Sequence, residues 1–262
     1  MKENTFHFND LMLNYIEGPR NGPPILLLHG ATKRWQSFMP IIEELSQYLH
    51  VYAMDFRGHG KSKHTPGAYR LQDYLTDCYS FIKECIQEPA IVLGHSLGGM
   101  IAIMLAAHHP QWLQSLVVID SPLTITSLRN LAVSQAELAN RLIQWLRISK
   151  LFNLPGLNNH FIPESLSQCD PDMLAAIINE FETTFHSYEV EDLFPKIKCP
   201  TLLIRGNSER GSLIRDEDLT KVLQWLPGCN HIKIPHVGHS PIREDRRAVL
   251  SVLESFLKQS SI

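Results

Sequence analysis

The chain of 262 residues is 44% hydrophobic and 19% charged, and it carries a formal net charge of −3 at pH 7. This composition is typical of a globular protein, and the weak negative charge provides no basic field that would gather nucleic acid or anionic membranes. The five cysteines have no C-x-x-C spacing, which argues against a disulfide framework or a zinc knuckle. Because no apolar run approaches the ~18 residues of a membrane span, we expect a soluble cytoplasmic protein.

Short apolar segments alternate with longer helical segments along the chain. An N-terminal hairpin formed by FHFND and LMLNYIE is followed by strands predicted at residues 24–30, 50–55, 90–95, 113–120, 201–206 and 231–235. Nearly continuous apolar strands are typical of a parallel sheet that is buried on both faces. The crossover connections that such a sheet requires are supplied by helices predicted at residues 38–48, 71–86, 97–109, 217–226 and 243–257.

The segment at residues 122–195 interrupts this alternation. It contains no segment typical of a buried strand, and its apolar residues recur at helical spacing, as in LAVSQAELANRLIQWLRISKLF. Because the segment is too long for a structureless loop, we predict a helical cap over residues 122–195 and a core domain formed by residues 1–121 and 196–262. Its expected place is over the carboxyl ends of the strands, where open α/β sheets bind ligands. The same apolar stripe is equally compatible with residues that only hold the insertion together.

The strongest local signal is GHSLGG at residues 94–99, between a predicted strand and a predicted helix. Gly94 and Gly98 flank Ser96 where a chain that turns sharply from strand to helix has no room for Cβ atoms. Such a turn exposes the serine hydroxyl at a helix N-terminus, whose unpaired N–H groups favour negative charge. Ser96 is therefore the candidate nucleophile.

Four motifs in order, HGATKRW, DFRGHGKS, GHSLGG and VGHSPIRED, make the chain from about Pro24 onwards resemble the α/β-hydrolase superfamily. The resemblance implies a mostly parallel eight-stranded sheet flanked by helices, with a helical cap inserted after the sixth strand. It also implies an oxyanion hole formed by the backbone N–H groups of Ala31 and Leu97. The GHGKS stretch is not a phosphate-binding loop, because Asp55 stands where that motif needs its first glycine. We predict neither a cofactor nor a metal.

His239 is the predicted general base. It follows the last predicted strand within VGHS, where the superfamily has its histidine, and a serine hydroxyl needs an imidazole to take its proton. His236, three residues earlier, is the competing histidine in this loop. His95 directly precedes the nucleophile and is assigned only to the backbone of the turn.

The triad acid is left open between several carboxylates, because the loop IRGNSERGSLI after the strand at 201–206 contains no aspartate. In related sequences this loop often carries the acid as G-x-x-D, and counting from Gly206 gives Glu209, the preferred candidate. Asp120 is the alternative, because some members of the superfamily carry their acid after the sixth strand. Asp216, Asp218 and a site without an acid are the further alternatives.

Together these residues predict a cofactor-free, carboxylesterase-like serine hydrolase that cleaves a small to medium ester through an acyl-enzyme on Ser96. In the superfamily the same residues also catalyse carbon–carbon bond hydrolysis, lyase and perhydrolase reactions, and a slow-turnover ligand sensor is an alternative of another class. Related epoxide hydrolases and dehalogenases have an aspartate at the Ser96 position, which disfavours their chemistry. The expected partner is a small-molecule ester or related carbonyl substrate, and the sequence indicates no oligomeric state.

Overall fold

The strands form one eight-stranded sheet in the computed structural model of the chain, which describes residues 1–151 and 163–260. In chain order they are β1 (Lys2–Phe8), β2 (Leu11–Glu17), β3 (Pro24–Leu28), β4 (His50–Met54), β5 (Ala90–His95), β6 (Leu113–Ile119), β7 (Thr201–Arg205) and β8 (Asn230–Lys233). Their spatial order is β1-β2-β4-β3-β5-β6-β7-β8. The β1–β2 and β2–β4 pairs are antiparallel, and all the others are parallel. The predicted fold class is confirmed.

Helices connect the strands. In chain order, those of the described residues are α1 (Met39–Leu45), α2 (Leu71–Phe81), α3 (Leu97–His108), α4 (Ile125–Leu151), α5 (Glu164–Ser167), α6 (Pro171–Asn179), α7 (Phe181–Phe185), α8 (Val190–Leu193), α9 (Asp216–Trp225), α10 (Pro241–Glu244) and α11 (Arg246–Gln259). A π-helical turn at Ile82–Ile86 extends α2, and 3-10 turns lie at Trp35–Phe38, Pro110–Trp112, Phe194–Lys196 and Ser208–Arg210. None of these helices is long and apolar enough to cross a membrane.

Two hydrophobic clusters cover the two faces of the sheet. Leu26 of β3 belongs to the cluster that includes α2 and α3, and its neighbour Leu27 belongs to the cluster that includes α1 and α11. Alternating side chains along a strand place successive residues on opposite faces, so both faces of β3 are covered. The helix α3 is buried from Leu97 to Ala107, which accounts for its uniformly apolar sequence.

The chain between β6 and β7 is an inserted helical region, in which α4 packs against α6. It is joined to the core by Arg34, whose Nη1 and Nη2 donate to the two carboxylate oxygens of Glu164 at 2.8 Å each. The hydroxyl of Tyr69 in the core also donates to Asp170, which precedes α6, at 2.5 Å. The predicted cap boundaries of 122–195 remain a prediction, and residues 152–162 of that range lie outside the described residues.

Candidate active site

Ser96 lies at the turn between β5 and α3, where its backbone adopts φ 54° and ψ −119°. A positive φ is uncommon for a residue other than glycine and is typical of functional sites. Crowding around the turn explains the neighbouring glycines: a Cβ on Gly94 would lie 2.2 Å from the carbonyl oxygen of Gly98, and one on Gly98 would lie 2.0 Å from that of Leu28. The tight turn leaves Ser96 partly exposed at the carboxyl edge of the sheet.

His239, in the loop between β8 and α10, is hydrogen-bonded through Nδ1 to Oδ2 of Asp120 at 2.7 Å. Asp120 directly follows β6 and is fully buried. Its carboxylate also accepts the hydroxyl of Ser212 and the N–H of Leu213, the latter at 3.0 Å. Burial alone would raise the pKa of Asp120, but the hydrogen bonds from these three residues outweigh it and hold that pKa below its ordinary value. The carboxylate is therefore ionised at neutral pH, so it favours a proton on Nδ1 of His239 and leaves Nε2 as the basic nitrogen.

The structure does not bring Glu209, the preferred acid candidate from the sequence, to His239. Glu209 is exposed on the 3-10 turn after β7, where its own N–H donates to the side chain of Asn207 at 3.2 Å. This placement corrects the order of the two acid candidates, because the turn directs the glutamate to solvent while Asp120 holds the imidazole. Of the further candidates, Asp216 pairs with Arg205, and Asp218 accepts the hydroxyl of Thr124 at 3.1 Å.

The predicted oxyanion donors belong to two segments that meet at Ser96, the start of α3 and the loop after β3. Leu97 is the first residue of α3, so its N–H has no acceptor within the helix. Ala31 follows Gly30, and a Cβ on Gly30 would lie 3.1 Å from the Cβ of Ser96. The loop after β3 therefore passes directly beside the candidate nucleophile.

Buried polar groups fix the shape of this loop. Nε2 of His29 accepts the N–H of Phe56 at 3.0 Å, so Nδ1 carries the proton and donates to the carbonyl oxygen of Gly30 at 2.8 Å. Burial lowers the pKa of His29 to about 4, which keeps the ring neutral. The carboxylate of Asp55, in the DFRGHG turn, accepts the N–H of Trp35 at 2.7 Å. The HGATKRW and DFRGHGKS motifs, to which no catalytic side chain was assigned, thus both hold the loop beside Ser96 in place.

His95 has a contact that the sequence did not indicate. Its Nε2 lies 2.7 Å from the carbonyl oxygen of His239, and the two ring centroids are 4.9 Å apart. Burial, together with the positive charge of His239 when protonated, lowers the pKa of His95 to about 4. A neutral ring that donates Nε2–H to this carbonyl fixes the backbone of the loop that carries His239. The sequence around His95 is the same whether its side chain makes this contact or His95 is only the last residue of β5, so the local motif could not predict the contact.

A cavity of about 370 Å³ opens beside these residues. His95 and Ser240, the chain neighbours of Ser96 and His239, form part of its wall, and Glu164 lines it from the inserted region. Its volume is within the ~300–1,000 Å³ range of small-molecule sites. The arrangement thus combines an ionised carboxylate, an oriented imidazole and a strained serine turn at one edge of a sheet, next to a space for a ligand.

The sequence model of the family described as alpha/beta hydrolase fold matches residues 23–245. The chain therefore belongs to the α/β-hydrolase fold family. Its mostly parallel eight-stranded sheet is the fold that the family resemblance implied.

Two relatives that match over most of their length are hydrolases. The chain is 25% identical over 248 residues to 2-(acetamidomethylene)succinate hydrolase of Mesorhizobium japonicum, and the alignment covers 90% of this chain and 88% of that protein. The chain is 27% identical over 258 residues to pimeloyl-[acyl-carrier protein] methyl ester esterase of Nitrosomonas europaea, and the alignment covers 87% of this chain and 92% of that protein. The crystal structure of E-2-(acetamidomethylene)succinate hydrolase matches with a TM-score of 0.76 at 22% identity, covering 98% of this chain and 99% of that one. This last similarity shows the shared fold.

Proposed function

We propose that the chain is a cofactor-free serine hydrolase that cleaves a small to medium carboxylic ester. Ser96 is the nucleophile, His239 the general base and Asp120 the acid. The observation that carries the proposal is the 2.7 Å hydrogen bond between His239 and the buried Asp120. Asp120 directly follows β6, which pairs with β5, the strand that directly precedes Ser96. The similarity to a methyl ester esterase supports ester hydrolysis among the reactions open to these residues.

The reaction follows from the roles of the two imidazole nitrogens. Nε2 of His239 takes the proton of the Ser96 hydroxyl as Oγ attacks the ester carbonyl carbon, while Asp120 stabilises the imidazolium. When the tetrahedral intermediate collapses, the bond to the alkoxy oxygen breaks and the imidazolium protonates the leaving alcohol. Water, deprotonated by the same nitrogen, then attacks the acyl-enzyme, releases the carboxylic acid and restores the serine.

The oxyanion of each tetrahedral intermediate is assigned to the backbone N–H groups of Ala31 and Leu97. Fixed donors stabilise a charge that develops only on the way to the intermediate, and one such donor is worth roughly 10²- to 10³-fold in kcat. The proposal is supported by the approach of Gly30 to Ser96 and by the position of Leu97 at the start of α3. Residues 122–195 are proposed to act as the cap, held by the contact between Arg34 and Glu164.

Covalent labelling with a fluorophosphonate tests the nucleophile. We expect wild-type protein to gain one adduct on Ser96, located by peptide mass spectrometry, and to hydrolyse p-nitrophenyl esters. Ser96→Ala is expected to lose both properties while keeping its circular dichroism spectrum. Ser251→Ala, which removes an exposed hydroxyl on α11, is the matched control and keeps both. Folded wild-type protein that remains unlabelled at Ser96 would overturn the proposal.

A further inference from the structure

The cavity beside the proposed triad is lined by an excess of positive charge. Lys33 and Arg34 reach it from the loop after β3, and Arg243 reaches it from α10. Among the described residues that line it, Glu164 alone carries a carboxylate. Since the whole chain has a formal charge of −3, this positive lining is a local feature and does not follow from composition.

Two of the three cations are free to bind an external anion. Arg34 is occupied, because both of its terminal nitrogens donate to Glu164, so the charges of this pair offset each other. Within the part of the chain that the structure describes, neither Lys33 nor Arg243 forms an ion pair. Lys33 is partly buried, and its charge adds to the effects of burial and of His239 that lower the pKa of His95. The Lys33 ammonium therefore acts electrostatically on His95, the residue next to Ser96.

Unpaired polar atoms in the same wall also point to a polar ligand. Oγ of Ser37 and Oε1 of Gln36 are buried, and neither has a hydrogen-bond partner among the described residues. Buried polar atoms are nearly always paired in folded proteins, so such atoms in a cavity wall are available to pair with a polar ligand. Of these two groups, only the Ser37 hydroxyl can donate to an anion, because Oε1 of Gln36 accepts hydrogen bonds and needs a donor.

We propose that this cavity binds a free carboxylate of the substrate through Lys33 and Arg243, so that the protein prefers esters that carry a carboxylate a few bonds from the scissile bond. The inference rests on the proposed serine hydrolase function. A charged group anchored in the cavity fixes one end of the substrate and so restricts where its ester carbonyl lies relative to Ser96.

Two matched substrate pairs test the preference. In the first pair, the charged substrate is p-nitrophenyl hydrogen adipate, whose free carboxylate lies on the acyl side of the scissile ester. Its neutral counterpart is the same compound with that carboxylate capped as a methyl ester. In the second pair, the charged substrate is the butyrate ester of 4-hydroxybenzoate, whose free carboxylate lies on the alcohol side. Its neutral counterpart is the butyrate ester of methyl 4-hydroxybenzoate. We expect kcat/KM to favour the charged member of one pair, and we expect added salt to reduce this preference because it screens the cations.

Variants assign the preference to the two cations. Lys33→Gln and Arg243→Gln are each expected to lower the charged-to-neutral ratio of kcat/KM by about tenfold, the effect of losing one charge-assisted hydrogen bond. Arg247→Gln removes an exposed arginine four residues from Arg243 that does not line the cavity, and it is expected to keep the wild-type ratio. Calorimetric binding of adipate to Ser96→Ala, weakened by adding Lys33→Gln, measures the same site without turnover.

The outcomes separate the two proposals. Protein that is labelled at Ser96 and hydrolyses both members of each pair equally, with no change in Lys33→Gln or Arg243→Gln, overturns the carboxylate site and leaves the hydrolase proposal standing. Protein that is neither labelled nor active defeats the hydrolase proposal. In that case the adipate titration still decides the site, and absence of Lys33-dependent binding overturns it.

Discussion

At the scale of single residues, three hydrogen-bond donors hold the carboxylate of Asp120, the proposed acid, in place. Asp120 accepts hydrogen bonds from the imidazole of His239, the hydroxyl of Ser212 and the N–H of Leu213. Asp120→Asn removes the charge that stabilises the imidazolium and no longer selects the Nδ1–H tautomer. We expect kcat on a p-nitrophenyl ester to fall about 10⁴-fold, as for the same change in serine protease triads, with the fold verified by circular dichroism.

Glu209→Gln is the matched control for this change, because it also neutralises a carboxylate in a loop at the same edge of the sheet. The side chain is exposed, and we expect its kcat to stay within about twofold of wild type, as for a surface substitution away from the chemistry. A large loss in Glu209→Gln with little effect of Asp120→Asn would transfer the role of the acid to Glu209.

The same residues show how far the site could be predicted from the sequence. Ser96 and His239 follow from local motifs, since the glycines of a strand-to-helix turn and a histidine after the last strand are visible in one dimension. The acid is not visible in this way. Ile119 of β6 pairs with Ile204 of β7, so the loops that carry Asp120 and Glu209 start side by side. Which carboxylate faces the imidazole is decided by the conformation of those loops, and no local pattern specifies it.

At the scale of secondary-structure elements, the turn between β5 and α3 depends on the absence of a side chain at Gly98. A Cβ there would meet the backbone of β3, which cannot move aside as a flexible side chain can. Gly98→Ala is therefore expected to destabilise the fold by about 1–3 kcal/mol, the usual effect of overpacking, and to displace Ser96. Urea denaturation and the rate of fluorophosphonate labelling measure the two effects.

Gly228→Ala provides the comparison for that substitution. A Cβ at Gly228 would meet no atom within 4 Å. We expect its unfolding midpoint and labelling rate to match those of wild type. Equal behaviour of the two alanine variants would contradict the assignment of Gly98 to a crowded turn.

Elements with strong apolar patterns were predicted closely, and interruptions set by single polar residues were not. The predicted strand at 90–95 coincides with β5, because a run of buried apolar residues is bounded by turn residues on both sides. The predicted helix at 243–257 is divided into α10 and α11 at Asp245. The carboxylate of Asp245 accepts the N–H of Ala248 at 3.0 Å and so starts a new helix. The apolar periodicity continues across this point, so it gave no sign of the break.

At the scale of the whole molecule, three buried histidines link stability to pH. Burial lowers the pKa values of His29 and His95 to about 4 and that of His59 to about 3. In the unfolded chain each imidazole titrates near its ordinary pKa of about 6.5. Above that pH both states are neutral, and between about 6.5 and 4 only the unfolded chain binds the protons. The free energy of unfolding is therefore expected to fall as the pH is lowered through this window.

His59 allows this linkage to be measured one proton at a time. Its Nδ1 lies 2.9 Å from the carbonyl oxygen of Arg57, while Nε2 is buried with no partner among the described residues, so a second proton would have no acceptor. His59→Gln should thus make the fall in unfolding free energy shallower by roughly 1.4 kcal/mol per pH unit between pH 6 and 4.5. Urea denaturation at a series of pH values measures this slope. His231→Gln removes an exposed histidine and should leave it unchanged. Equal slopes for His59→Gln and wild type would mean that His59 is protonated in the folded protein, against the effect of its burial.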